Sequence, residues 1–173
     1  MRKLILALMA VAAISFTSCS KDKNENGQGS EDSDIKVMSC VFAISPVFLD
    51  YYSVAMEYAL PNEGKQIQEA SWEDVDGLKM FKFCKEVTGT GKATMQMLFT
   101  RNEQPVDTTH NYDISIGQVY SMGKFKSYEE AAQSLSLSND AITVSIGIHG
   151  DKMENYMLRR VNEYGRLQEF DFK

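Results

Sequence analysis

The chain is poor in the residues that would make its chemistry easy to read. It has three cysteines, three prolines, one tryptophan and two histidines in 173 residues. Three cysteines do not make a disulfide-rich scaffold, and two histidines with diverging cysteines do not make a zinc site, which takes three or four such ligands. No apolar run reaches the roughly 20 residues that a membrane-spanning helix needs. Basic residues are outnumbered, 18 to 24, for a net charge of -6. With no basic stripe, the composition argues against nucleic-acid binding.

What is present begins at the N-terminus. Arg2 and Lys3 precede an apolar stretch at 4–14, and small residues lead from Ser15 to Cys19. The stretch is too short to span a bilayer and has the layout of an export signal. A cysteine directly after such a signal can receive a thioether-linked lipid. One acyl chain binds a membrane marginally, at about 0.8 kcal/mol per buried CH₂, whereas two or three give lasting anchorage. The segment resembles the lipobox of bacterial lipoproteins, with Phe16 where that pattern usually has Leu. Looser lipoboxes of this kind are typical of Bacteroides-like lipoproteins. The resemblance implies that residues 1–18 are removed and that Cys19 carries the lipid. The alternative is an ordinary secretory signal that leaves a free cysteine. Ser20, rather than Asp, follows the cysteine, which by resemblance to enteric lipoproteins argues for the outer membrane. Residues 20–34 contain no apolar side chain. They cannot bury enough surface to offset ordering entropy, so residues 19–34 are expected to form a disordered acidic tether. Its charged start is similar to surface-export tethers of the same group, which implies cell-surface exposure.

The body, residues 35–173, is one domain's length of chain. Without Arg2 and Lys3 the mature chain has 16 basic and 24 acidic residues, a net charge near -8. Period-two alternation dominates. Strands are expected at 35–44, 51–60, 65–74, 78–87, 92–101, 112–122 and 141–148, with a final edge strand at 167–172. Pro61 to Gly64 is a turn in which Gly64 suits a positive φ, and Asp76-Gly77 is a two-residue hairpin signal. Thr88 to Gly91 reads as another hairpin turn. Ser127 and Glu130 form a capping box before a short helix. Met153, Met157, Val161 and Tyr164 recur at helical spacing, with Gly165 as C-cap. Ile142, Val144, Ile146 and Ile148 are expected to share one face. Cys40 alternates with core positions and Cys84 with Lys82 and Glu86, so the two should lie on opposite faces and not bridge without a bulge.

Many short strands with turn signals between them predict a mainly-β sandwich with one or two short helices near the C-terminus, the alternative being α+β. The run from Ser45 to Tyr58, then Asn62 to Lys65 and Trp72, resembles a Bacteroides-like lipoprotein family with an Ig-like domain. The resemblance covers about a quarter of the chain and implies no catalytic residues.

Tests for chemistry return little. Thr88 to Ala93 resembles a phosphate loop in outline, but Glu86 and Ala93 replace the required Gly and Ser or Thr, and a strand follows where a helix should. Glu73, Asp74 and Asp76 gather oxygens before Gly77, yet Trp72 stands where a Ca²⁺ loop would begin with Asp. No Gly-x-Ser-x-Gly elbow occurs, and no motif specifies a cofactor, a metal or a reaction. The expectation is therefore a non-enzymatic module, with a small hydrolase the least favoured reading. Its partners are the membrane, through Cys19, and a protein or glycan. Tyr51 and Trp72 are the candidate ligand-facing aromatics, Tyr51 because it falls opposite the core face formed by Tyr52, Val54, Met56 and Tyr58. The main alternative is an envelope assembly subunit that docks on another membrane protein.

Overall fold

The computed structural model describes residues 34–173. The export signal, Cys19 and all of the tether but Asp34 lie outside the described residues. The first strand, β1 (Ile35–Ile44), has the boundaries its sequence pattern predicts. Met38, Cys40, Phe42 and Ile44 point inward and are fully buried. Val37, Val41 and Ala43, on the other face, are buried too. A strand covered on both sides loses its alternation and reads as a nearly continuous apolar run, as this one does.

The chain continues through α1 (Pro46–Tyr51), β2 (Tyr52–Ala59), β3 (Gln66–Glu69), β4 (Glu73–Val75), β5 (Leu78–Glu86), β6 (Gly91–Arg101) and β7 (Asn111–Phe125). It ends with α2 (Tyr128–Gln133), a 3₁₀ turn at Asn139–Ala141, β8 (Ile142–His149), α3 (Gly150–Tyr164) and β9 (Gln168–Phe172). The strands form two sheets, ordered β4-β5-β1-β7-β8 and β3-β2-β6-β9, with every pair antiparallel. The fold is mainly β and sandwich-like. Inward residues of both sheets share one core, in which Phe42 meets Phe99 at 5.8 Å and Tyr58 meets Phe83 at 5.0 Å. Ring pairs at this spacing contribute about 0.5–1.5 kcal/mol beyond burial. On the outer face of the first sheet lies α2, whose Tyr128 hydroxyl donates to the Cys84 carbonyl (3.0 Å).

Local signals hold where the physics is local. Asp76 and Gly77 both take positive φ, 51° and 81°, as the two-residue turn between β4 and β5 requires. Ser127 Oγ accepts from the Glu130 N–H (3.1 Å), while the Glu130 carboxylate reaches back to the Lys126 N–H (2.7 Å), one residue before the box predicts. Met153 and Met157 are fully buried on the inner side of α3. Cys84 pairs with Ser39, and Cys40 with Phe83, so the two thiols face opposite ways and both are free.

Several expectations are corrected. Among the described residues there are three α-helices, and α1 lies near the start of the body, not its end. Its Pro46 occupies the first turn, where a missing N–H costs nothing, and Ser45 Oγ turns away to accept from the Ser115 N–H (2.7 Å). The expected strand at 65–74 is two strands in different sheets, with Ala70, Ser71 and Trp72 crossing between them. The Thr88 to Gly91 turn is also a crossing, since β5 and β6 belong to different sheets. Gly89 and Gly91 take φ of 82° and 128° there. In the turn after β2 the positive φ falls on Asn62, at 64°, and not on Gly64.

Candidate interaction surfaces

Tyr51 is not at the surface. It ends α1, so the alternation of β2 does not extend to it, and it is only 5% exposed. Its hydroxyl donates to that of Tyr112 (3.2 Å), which in turn reaches the Asp107 carbonyl (3.2 Å). The Arg101 guanidinium sits over both Tyr51 and Tyr52, at 5.3 and 5.6 Å from the ring centres. Its nitrogens donate to the carbonyls of Tyr51 (3.1 Å), Asn102 (2.8 Å) and Gln104 (2.9 Å). The cluster pins the loop between β6 and β7 to the body. Burial, and then the Tyr112 hydrogen bond, push the Tyr51 phenol up to about 12.

Trp72 stands at the sheet crossing, half-buried at the margin of the core. Its ring lies 6.2 Å from Phe42 and 6.1 Å from Phe81. The acidic residues after it do not converge. Asp74 pairs with Lys79 (2.7 Å) and Glu73 with Lys82 (3.6 Å), both across the hairpin. Among the described residues no group of three or more His, Cys, Asp or Glu side chains is arranged to hold a metal ion. His149 Nδ1 meets Asp151 (2.8 Å), and His110 packs edge-on against Tyr112 (4.8 Å).

Two concavities stand out. A surface groove of about 460 Å³ runs along α3, lined by Asn155, Leu158, Arg159, Asn162, Glu163 and Arg166. It offers hydrogen-bond donors and one carboxylate beside an exposed leucine. Arg160 turns the other way, over Tyr156 at 5.0 Å, and holds Glu163 at 2.6 Å. A crevice of about 210 Å³ lies against the outer face of the first sheet, between β1, β7 and the segment after α2. Ser39, Ser121, Ser134 and Ser136 line it with hydroxyls.

The four apolar residues of β8 do not all share one face, and the face carrying Val144 and Ile146 is the outer one. Thr143 and Ser145 point inward, where the hydroxyls of Tyr164 (3.3 Å) and Tyr156 (2.9 Å) from α3 meet them. Val144 and Ile146 point outward and are 57% and 80% exposed. A bulge then sets Ile146 and Gly147 opposite Asp113, whose carboxylate accepts from the Gly147 N–H (2.7 Å). The bulge returns Ile148 to the inner side, opposite Tyr112. Sequence reasoning missed this surface. The available signal was the pair Tyr156 and Tyr164, two turns apart on α3, which needs hydroxyl partners on whatever it covers. Among the described residues no helix is long and apolar enough to cross a membrane. Comparison with known proteins finds no family model, no curated protein and no solved structure that matches this chain.

Proposed function

We propose that this chain is an outer-membrane lipoprotein, anchored through lipid on Cys19, whose β-sandwich is an interaction module and not an enzyme. The anchor reading rests on the basic start, the short apolar run and the small residues before Cys19. The wholly polar run at 20–34 would hold the body away from the bilayer, and its resemblance to surface-export tethers supports exposure on the cell. The Ig-like resemblance fits a binding role.

The observation that carries the interaction reading is where exposed apolar surface lies. Val144 and Ile146 stand on an outer sheet face, while the concavity along α3 is an open groove. Exposed apolar side chains grouped on one face mark contact surfaces more than reaction sites. The burial of Tyr51 removes one of the two aromatics on which a glycan platform would rest, so a protein partner is favoured over a glycan. The same apolar face supports the second reading, an envelope assembly subunit.

Fractionation of cells carrying Cys19→Ala, with fatty-acid labelling of both forms, tests the anchor. The variant should leave the membrane fraction and lose the label; unchanged labelling overturns it. Protease added to intact cells should digest a surface-exposed body and spare a periplasmic one. A purified protein that hydrolyses ester, glycoside or peptide substrates, with turnover lost on replacing a groove residue such as Arg166, overturns the non-enzymatic part.

A further inference from the structure

A strand at the end of a sheet leaves a row of backbone N–H and C=O groups unpaired. Proteins blunt such edges with shortness, charge, proline or bulges. Three of the four edges here are blunted. β4 has three residues and carries Glu73 and Asp74. β3 has four and ends in Glu69. β9 has five, including Glu169 and Asp171. The fourth edge, β8, has eight residues with no Asp, Glu, Lys, Arg or Pro among them. Its one irregularity is the bulge at Ile146 and Gly147, toward the far end.

The direction of its backbone groups follows from β7. Ser115 spends both its N–H and its C=O on Ser45, at 2.7 and 2.8 Å, on the β1 side. In an antiparallel strand a residue's two backbone groups point to the same side, and the side alternates along the chain. Ile114 and Ile116 therefore point theirs at β8, where Ser145 and Thr143 stand opposite. Val144, between those two, directs its N–H and C=O off the end of the sheet.

We propose that β8 is the contact through which two copies of this chain pair, edge to edge and antiparallel, joining two five-stranded sheets. The proposal names the partner of the interaction module and stands on strand geometry, independent of the anchor. A two-fold axis at Val144 sets that residue against the partner's Val144 and Ile142 against the partner's Ile146. Three apolar rungs then lie on one outer face, and Val144 exchanges both of its backbone bonds with its equivalent. The uncharged β8 is the edge on which a second copy meets no local repulsion. The chain is acidic overall, and β3, β4 and β9 each bring a carboxylate to the edge they would offer. Along β8 no like charges meet. The acidic end at Asp140 comes beside the partner's His149. A strand pair this short buries less than the roughly 1,200–2,000 Å² of a stable interface, so association should be weak and reversible.

Covalent trapping suits such a contact. Residues that exchange both bonds across an antiparallel pair have Cα atoms about 5.5 Å apart, within disulfide reach. The full chain carrying Val144→Cys is treated in intact cells with a mild oxidant, and in parallel with a short bismaleimide. The reference proteins are wild type, which reports Cys40 and Cys84, and Ile67→Cys, an apolar position on β3 that is 63% exposed. Val144→Cys should give a band of twice the chain's mass, several-fold stronger than either reference. Adding Ile146→Lys should abolish it. No such band, an equal band from Ile67→Cys, or a Val144→Cys adduct only with a protein of different mass overturns the pairing. Because fractionation of Cys19→Ala reads the anchor and this experiment reads the pair, the two can fail separately.

Discussion

Replacing Gly150 with alanine sets a favourable local effect against an unfavourable tertiary one. Gly150 opens α3, is buried, and donates its N–H to the His110 carbonyl (2.8 Å). In an open helix, exchanging Gly for Ala stabilises by up to about 1 kcal/mol. Here the added Cβ would sit 2.0 Å from the Asp107 carbonyl oxygen and 2.7 Å from the Thr108 Cα. Both are backbone atoms, so no rotamer change relieves them. The loop they belong to is itself tied down. The Asp107 carboxylate accepts from the Thr109 N–H (2.9 Å) and hydroxyl (2.7 Å), and the Asp107 carbonyl accepts from Tyr112. Overpacking of this kind costs about 1–3 kcal/mol. Weakening the bond to His110 adds about 1 kcal/mol. Set against the full helix gain, the net loss should be about 1–3 kcal/mol. For a body of this size 1 kcal/mol moves the melting temperature by about 3–4 °C, so Gly150→Ala should melt roughly 3–12 °C lower. Gly64→Ala is the control. A Cβ there has no atom within 4 Å, and the backbone φ is not positive. Its melting temperature should hold or rise by about a degree or two. Thermal scans of the three proteins by circular dichroism decide it. A Gly150→Ala protein that melts at or above wild type refutes the argument.

Three other outcomes follow from side chains already placed. Trp72→Ala should destabilise by about 2–3 kcal/mol, below the 3–5 kcal/mol of a fully buried aromatic because the indole is half-buried; an unchanged denaturation midpoint would return Trp72 to the surface. The Tyr51 phenol is raised from an ordinary value near 10 to about 12, so the protonated form is the one the fold prefers. That contribution is complete below about pH 10 and is lost as pH rises toward about 12, so wild type should lose melting temperature across this window more steeply than Tyr51→Phe; parallel slopes would refute the assignment. Burial raises the pKa of both thiols, and Cys40 is the more deeply buried. At neutral pH, alkylation followed by mass spectrometry should find Cys84 modified slowly and Cys40 only on unfolding, and equal rates would contradict the opposite-face arrangement.

What could be read from the sequence, and what could not, divides by the range of the interaction. The ends of β1, the Asp76-Gly77 turn and the Ser127 cap depend on neighbours within a few residues, and their residue types state the geometry required. The faces of Cys40 and Cys84 follow from strand parity alone. Sheet membership does not. A turn that closes a hairpin and one that carries the chain to the opposite sheet use the same small residues, and Gly89 and Gly91 serve the second purpose with the signature of the first. Helix α1 was hidden differently. Val47, Phe48 and Tyr51 favour strands, and only Pro46 at its start hinted at a helix. Packing of Phe48 against Tyr52 (5.1 Å) and Phe99 (6.2 Å) overrides the local preference. That single helix is why strand alternation misplaces Tyr51 at the surface.

The edge strand β8 shows a deeper limit of pattern reading. Alternation tells which residues share a face but not which face is covered. Burying apolar side chains is the better choice only when what packs on them is apolar as well. Along β8 the covering element is α3, which brings two tyrosine hydroxyls. A buried hydroxyl without a partner costs about 1–3 kcal/mol, so these two require acceptors or donors beneath them. Thr143 and Ser145 supply them. Once that face is turned in, strand geometry forces Val144 and Ile146 out, whatever their hydropathy. The exposed apolar edge is thus a consequence of a polar contact on the far side of the same strand, and the candidate contact surface lies where the hydrophobic pattern and the observed fold disagree.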